Sequence, residues 1–246
     1  MAKERIDQLL VKRGLAPTRA RAQALVLAGK VYLGDARIDK SGVTVPHDAE
    51  LSVRGADHPF VSRGGVKLAG ALDAFALSVT ELRCLDLGAS TGGFTDCLLQ
   101  RGAREVVAVD VGYGQLAHKL RIDPRVVVME RTNGRSLRAE ILGGPVDLTV
   151  VDASFIGIHQ LIDAIALCTR EGGHLVALIK PQFEVGREEA TRGKGVIRDE
   201  GVRKEAIRRA HHHVTEAGFT LVAACDSPIA GPKGNLEAFV HARRNT

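Results

Sequence analysis

CLDLGASTGGFTD (residues 84–96) runs an apolar strand into a glycine-rich turn and out into a helix. After a strand over 83–87 the chain must turn sharply. Gly88, Gly92 and Gly93 let the backbone pass close to a ligand there. The spacing G-A-S-T-G-G is not the dinucleotide G-x-G-x-x-G, and a glycine loop alone is weak evidence. Two acids strengthen it. Asp86 lies inside the strand, and Asp110 ends the next one, roughly 20 residues on, where an acid commonly binds a ribose hydroxyl. No lysine follows the glycines, so a phosphate site is disfavoured. An uncharged loop flanked by acids suits an adenosine with a cationic tail. S-adenosylmethionine fits, because a basic pocket would repel its sulfonium. The expected cofactor contacts are Asp86, Gly88, Ser90, Thr91, Gly92, Gly93, Phe94, Asp110, Val111, Asn133 and Asp152.

Working outward, strand and helix patterns alternate from residue 60 to the end, which predicts an α/β domain with a parallel sheet covered on both faces. Strands are expected at 83–87, 105–110, 126–128, 146–152, 174–179, 220–227 and 238–242, and helices at 94–101, 159–168 and 200–217. The stretch 186–195 (GREEATRGKG) is charged and glycine-rich and reads as a mobile loop. His211, His212 and His213 are consecutive in the last helix. Neighbouring helical positions point apart, so they do not make a metal site, and no metal is expected.

Residues 1–55 read differently, as a small α+β domain. Ile6, Leu9 and Leu10 mark one face of a helix over 5–13, stopped by Gly14. Thr18 is an expected N-cap for a second helix reaching residue 28, followed by short strands at 30–33, 43–45 and 50–53. Basic residues crowd this segment. A solvated charged face is the plain reading, but a helix pair followed by a small sheet also suits a phosphate backbone. The expected RNA contacts are Arg5, Arg19, Arg21 and Lys30, with Arg63 beyond the linker at 56–62. From 63 to 246 the chain reads as one further domain. Phe60 to Gly65 precedes Lys67 by only a few residues, and its two glycines suggest a hinge coupling RNA docking to the site.

Composition sets outer limits. Of 246 residues 45% are hydrophobic, enough for a real core, and the longest apolar runs are strand-length. The first residues, MAKERIDQLLVKRG, contain no apolar core of a secretory signal. Four scattered cysteines without a CxxC pair favour reduced thiols and a cytoplasmic location over zinc or disulfides. A net charge of +5 permits a polyanionic partner. With aromatics at 4% and no Trp, binding should lean on phosphate contacts and shape.

Four separated residues stand in distinctive settings: Lys67 in VSRGGVKL, Asp152 ending VDLTVVD, Lys180 ending HLVALIK, and Glu237 in GPKGNLEAF. Each alone would be an ordinary solvated side chain. Together with DLGASTGGFTD (86–96), VDVGYGQL (109–116), ERTNGR (130–135), VDASFI (151–156) and IKPQFEVG (179–186), they resemble the TlyA (haemolysin A-type) family of ribosomal RNA ribose methyltransferases, and the broader FtsJ class. RIDQLLVKRGLAPTRARAQALVLAGKVYLGD (5–35) resembles the RNA-binding domain of ribosomal protein S-four. The resemblance spans nearly the whole chain. Ala153 departs from it, where relatives more often carry Leu or Val. It implies a Rossmann-like methyltransferase domain with a mostly parallel sheet and an antiparallel last strand. It also implies S-adenosylmethionine as cofactor and Lys67, Asp152, Lys180 and Glu237 as the catalytic tetrad. The implied substrate is a cytidine ribose 2′-OH of ribosomal RNA or a ribosomal subunit, in the large subunit if the chain is of the shorter subtype. A monomer is expected.

A ribose hydroxyl is a poor nucleophile at neutral pH, so a positioned base helps. Lys180, ending a central strand, is the expected base. Burial and Lys67 favour its neutral form, and the two carboxylates oppose it. Two rivals remain: an inactive methyltransferase fold that only binds RNA, and a pore-forming haemolysin. The intact tetrad speaks against the first. The second lacks a long apolar or strongly amphipathic basic segment.

Overall fold

The computed structural model describes residues 3–16, 18–53, 58–185 and 195–246. Most of the expected loop at 186–195, and residues 56–57 of the expected linker, lie outside the described residues. The chain divides into two compact units, Met1–Asp57 and His58–Thr246.

In the smaller unit, β1 (Lys3–Arg5) leads into α1 (Ile6–Lys12) and α2 (Arg19–Leu27), then β2 (Val31–Leu33), β3 (Ala36–Arg37), β4 (Thr44–Pro46) and β5 (Leu51–Val53). Thr18 caps α2, its hydroxyl accepting from the Arg21 amide at 3.2 Å. The apolar stripes of both helices close on Val31 and Val45. One expectation is corrected. Arg5 does not open the first helix; it is extended and pairs with β4, with Thr44 opposite. Its side chain turns inward to a fully buried Asp7, donating twice at 3.0 Å. Arg19 and Gln23 complete the cluster at 3.0 and 2.9 Å. The Arg5 bonds, with those of Gln23 and Arg19, hold the Asp7 carboxyl well below the usual carboxylate range against its burial. Two of the expected RNA contacts thus also neutralise a buried charge, which neither helix pattern announces.

The larger unit is a seven-stranded sheet. In chain order its elements are α3 (Arg63–Ala74), β6 (Arg83–Leu87), α4 (Gly93–Gln100), β7 (Glu105–Val109), α5 (His118–Arg121), β8 (Val126–Met129), β9 (Val146–Val151), α6 (Ile162–Cys168), β10 (Thr169–Ile179), α7 (Pro181–Glu184), α8 (Glu200–Glu216), β11 (Phe219–Asp226) and β12 (Ala238–Arg244). Across the sheet the strands run β11-β12-β10-β9-β6-β7-β8. β12 alone is antiparallel to its neighbours. Helices cover both faces over two apolar cores, one around Leu85, Val107 and Ile179 and the other around Leu98, Val150 and Phe239. β10 starts five residues earlier than the sequence suggests. The Gly172–Gly173 pair is absorbed as an irregularity between Thr169 and His174, with Gly172 at φ +68°.

The two glycines expected to act as a hinge are helical here. Gly64 and Gly65 lie in the first turn of α3. Gly65 is there because of packing: a Cβ on it would run into the ring and Cβ of Phe60. The preceding segment is fastened as well, since the Val61 amide donates to the buried Asp96 at 2.7 Å. Gly65→Ala should therefore lower the unfolding free energy by about 1–3 kcal/mol, as overpacking does. Helix propensity alone would instead raise it by about 1 kcal/mol. Denaturant titration of both proteins distinguishes the two signs.

Candidate active site

The sheet topology assembles the site. Asp152 follows β9 and Lys180 follows β10, so both emerge at the carboxyl edge of the parallel strands. Glu237 immediately precedes β12. Because β12 runs antiparallel, with Ala238 opposite Ile179, its leading residue arrives at that same edge beside Lys180. Lys67 comes in from the buried face of α3. Side chains from distant parts of the sequence thus line one cavity of about 800 Å³.

They form two ion pairs. Lys67 Nζ donates to Glu237 Oε2, with the two residues only 6% and 2% exposed. Lys180 Nζ lies 2.6 Å from Asp152 Oδ1. That contact is ionic rather than aligned as a hydrogen bond, and the aligned bond of Lys180 goes to Ser154 Oγ at 2.9 Å. Sequence reasoning missed Ser154, Phe155 and Phe183. Phe155 is 91% exposed at φ +66°, a strained backbone for an aromatic residue, and its ring meets Phe183 at 5.4 Å. Their signal was present, since both flank tetrad members in VDASF and KPQF.

A second cavity of about 380 Å³ opens where the glycine turn meets the ends of β6 and β7. Gly88, Ser90, Asp110, Val111, Asn133 and Asp152 are among its walls, and no Lys or Arg is among the described residues lining it. Asp110 is held by the Ser90 amide at 2.8 Å and the Gly112 amide at 2.7 Å. The two cavities share Gly88, Ser90, Asp152, Ser154 and Phe155 as a common wall. Thr91, Gly93 and Phe94 line the larger cavity, as does Arg63, which donates to the Ala230 carbonyl at 2.9 Å.

Two expected cofactor contacts line neither cavity. Gly92, at φ +92°, is buried against Leu116 and Leu120, where a Cβ would collide with their side chains. Asp86 is fully buried beneath the loop and accepts from the Thr95 amide at 2.8 Å and hydroxyl at 2.6 Å. It holds the start of α4 to the strand, a supporting role that its place before the glycines does not distinguish from contact.

The FtsJ-like methyltransferase family matches residues 60–244, and the S4 domain matches 4–51. The 16S/23S rRNA (cytidine-2′-O)-methyltransferase TlyA of Mycobacterium tuberculosis is 47% identical over 98% of this chain and 90% of its own length. The chain belongs to the TlyA family of FtsJ-like methyltransferases. The 23S rRNA (cytidine-2′-O)-methyltransferase TlyA of Campylobacter jejuni is 33% identical over 76% of this chain and 72% of its own. A solved structure from Streptococcus thermophilus, provisionally named a hemolysin, superposes with a TM-score of 0.77 at 41% identity, covering 100% of this chain and 90% of that one.

Within the TlyA family frame the separate sequence motifs acquire one location. DLGASTGGFTD, VDVGYGQL, VDASFI, IKPQFEVG and GPKGNLE all meet at the carboxyl edge of the sheet. Among the described residues no helix is long and apolar enough to cross a membrane. Nor do the described residues hold a group of three or more His, Cys, Asp or Glu placed for a metal.

Asp86 carries a measurable consequence. Burial, with lesser contributions from Asp152 and Asp110, pushes its carboxyl up to about 7 against the Thr95 hydrogen bonds. An unfolded Asp ionises near about 4. Between those values the folded chain keeps a proton that the unfolded chain releases, so the contribution of Asp86 to stability falls as pH rises. Asp86→Asn keeps an acceptor for Thr95 and cannot ionise. Its stability relative to wild type should rise from about pH 4 to about pH 7 and level off above. A difference that stays flat across that window contradicts the assignment.

Proposed function

We propose that this chain transfers a methyl group from S-adenosylmethionine to the ribose 2′-OH of a cytidine in ribosomal RNA. The observation carrying this reading is Lys180 Nζ, in the larger cavity, placed 2.6 Å from Asp152, which lies on the wall both cavities share. The residues of the smaller cavity fit the cofactor by their chemistry: the acid Asp110 and the amide of Asn133 suit a ribose and an adenine edge, and the uncharged loop with Asp152 beside it suits a sulfonium. S-adenosylmethionine, when bound, supplies an electrophilic methyl group.

The larger cavity then takes the nucleotide. In its amine form Lys180 accepts the 2′-hydroxyl proton at Nζ, and Asp152 balances the charge that forms there. Ser154 keeps the Lys180 side chain aimed at the shared wall. Glu237 fixes the Lys67 ammonium in the same cavity, where it favours a developing alkoxide. The exposed Phe155 ring, tilted 45° against Phe183, offers an apolar surface for a nucleobase lifted out of its stack. The S4 unit supplies phosphate contacts through Arg21, Lys30 and the solvent-facing parts of Arg5 and Arg19. Large-subunit RNA is named for both relatives and is the first substrate to test. A ribosomal RNA substrate also implies a cytoplasmic site of action.

Lys180→Ala should lower turnover by roughly 10²–10⁴-fold, as removal of a general base does, with S-adenosylhomocysteine affinity by calorimetry unchanged. Asp110→Ala should do the converse, weakening cofactor affinity by about tenfold or more through loss of charged hydrogen bonds. Turnover within a few-fold of wild type in Lys180→Ala would remove Lys180 as base.

Phe155→Ala should raise the KM for RNA by about tenfold, in line with a lost base–aromatic stack, and leave cofactor affinity alone. An unchanged KM contradicts a stacking role.

A further inference from the structure

The motif IKPQFEVG contains one acidic residue that the proposed reaction does not use. Glu184 ends the single turn of α7, four residues after Lys180. That turn is closed by the Phe183 amide donating to the Lys180 carbonyl at 2.8 Å, so the two residues move together. Glu184 Oε1 accepts from the Ile158 amide at 2.8 Å. Its other oxygen lies over Gly157, where an added Cβ would stand 3.0 Å away. Ile158 closes the loop that starts at Asp152 and carries Ser154 and Phe155.

We propose that Glu184 is a positioning residue for methyl transfer: its carboxylate ties the loop after β9 to the turn after β10 and so holds Lys180 against Asp152 and Ser154. Three observations support it. Among the described residues no salt bridge reaches Glu184, so a partly buried carboxylate is held here by a backbone amide. Taking a carboxylate even partly out of water without an ion pair is costly unless a hydrogen bond compensates. Phe155, three residues before Ile158, holds a positive φ, and strain of that kind persists only where neighbouring contacts fix the backbone. Lys180 and Glu184 also pack on one small void with Val151, Ile158 and Leu178, so a shift of either is felt by the other. Burial pushes the Glu184 carboxyl up to about 7, opposed by the Ile158 amide and by Arg209 on α8. A neutral group with the same acceptor is therefore a fair replacement.

The proposal rests on the tetrad reading, and the experiment separates the two. Glu184→Ala, Glu184→Gln and Lys180→Ala are compared on ribosomal RNA in single turnover, with S-adenosylhomocysteine affinity measured in parallel. Glu184→Ala should lose at least about tenfold in rate, as expected for a small misplacement of reacting groups. Glu184→Gln, which retains the acceptor, should stay within about threefold. Cofactor affinity should stay within about twofold in both, since the β6 turn is untouched. Three results overturn it: an active Glu184→Ala, a Glu184→Gln as slow as Glu184→Ala, or a Glu184→Ala that has lost cofactor binding along with rate. An active Lys180→Ala overturns the tetrad reading itself, and with it this role.

Discussion

Two lysine–carboxylate pairs at the carboxyl edge of one sheet, one buried and one half-buried, are the constraint around which this molecule is built. Taking ions out of water costs several kcal/mol each, and pairing offsets that cost only where the geometry is good. A hydrophobic packing of the same volume would be at least as stable. The chain nonetheless keeps Lys67 against Glu237 and Lys180 against Asp152. Each pair also joins elements remote in sequence, so the arrangement depends on the sheet having closed in the correct register.

The register explains why the last strand is reversed. A parallel strand delivers functional residues from its carboxyl end. β12 is antiparallel, so it delivers from its amino end, and Glu237 at that position faces the same edge as Lys180. Shifting β12 by one residue against β10 would turn Phe239 out of the core and carry Glu237 away from Lys67. Asn235 and Arg203 guard that approach. The Asn235 side chain is held by the Ile197 amide and the Gly195 carbonyl, each at 2.9 or 2.8 Å, and Arg203 donates to the Leu236 carbonyl at 3.1 Å.

Much of this was legible in the sequence because it is local. Strand runs, the Thr18 cap and the glycine turn each need only a few neighbouring residues. The tetrad was legible through its motifs rather than through any physical signal in a lone Lys or Glu. What stayed hidden depends on partners distant in the chain. Gly65 reads as a flexible joint until Phe60 is seen lying across it. Asp86 and Gly92 read as ligand contacts because the strand–turn pattern is the same for a residue above the loop and one beneath it. Arg5 and Arg19 read as phosphate contacts alone, since nothing nearby reveals that Asp7, which both of them reach, is buried. Phe155 was passed over although it stands three residues after Asp152, and its positive φ is set by contacts that no residue pattern announces.

The central claim is that this edge methylates a ribose oxygen and not a base. The direct measurement uses S-adenosylmethionine carrying an isotopically labelled methyl group. Ribosomal RNA incubated with it and the enzyme is digested to nucleosides and analysed by mass spectrometry, with fragmentation separating sugar from base. The account predicts label on the ribose of cytidine alone, and none with Lys180→Ala. Label on the cytosine ring, or on ribose in the Lys180→Ala enzyme at the wild-type level, would contradict it.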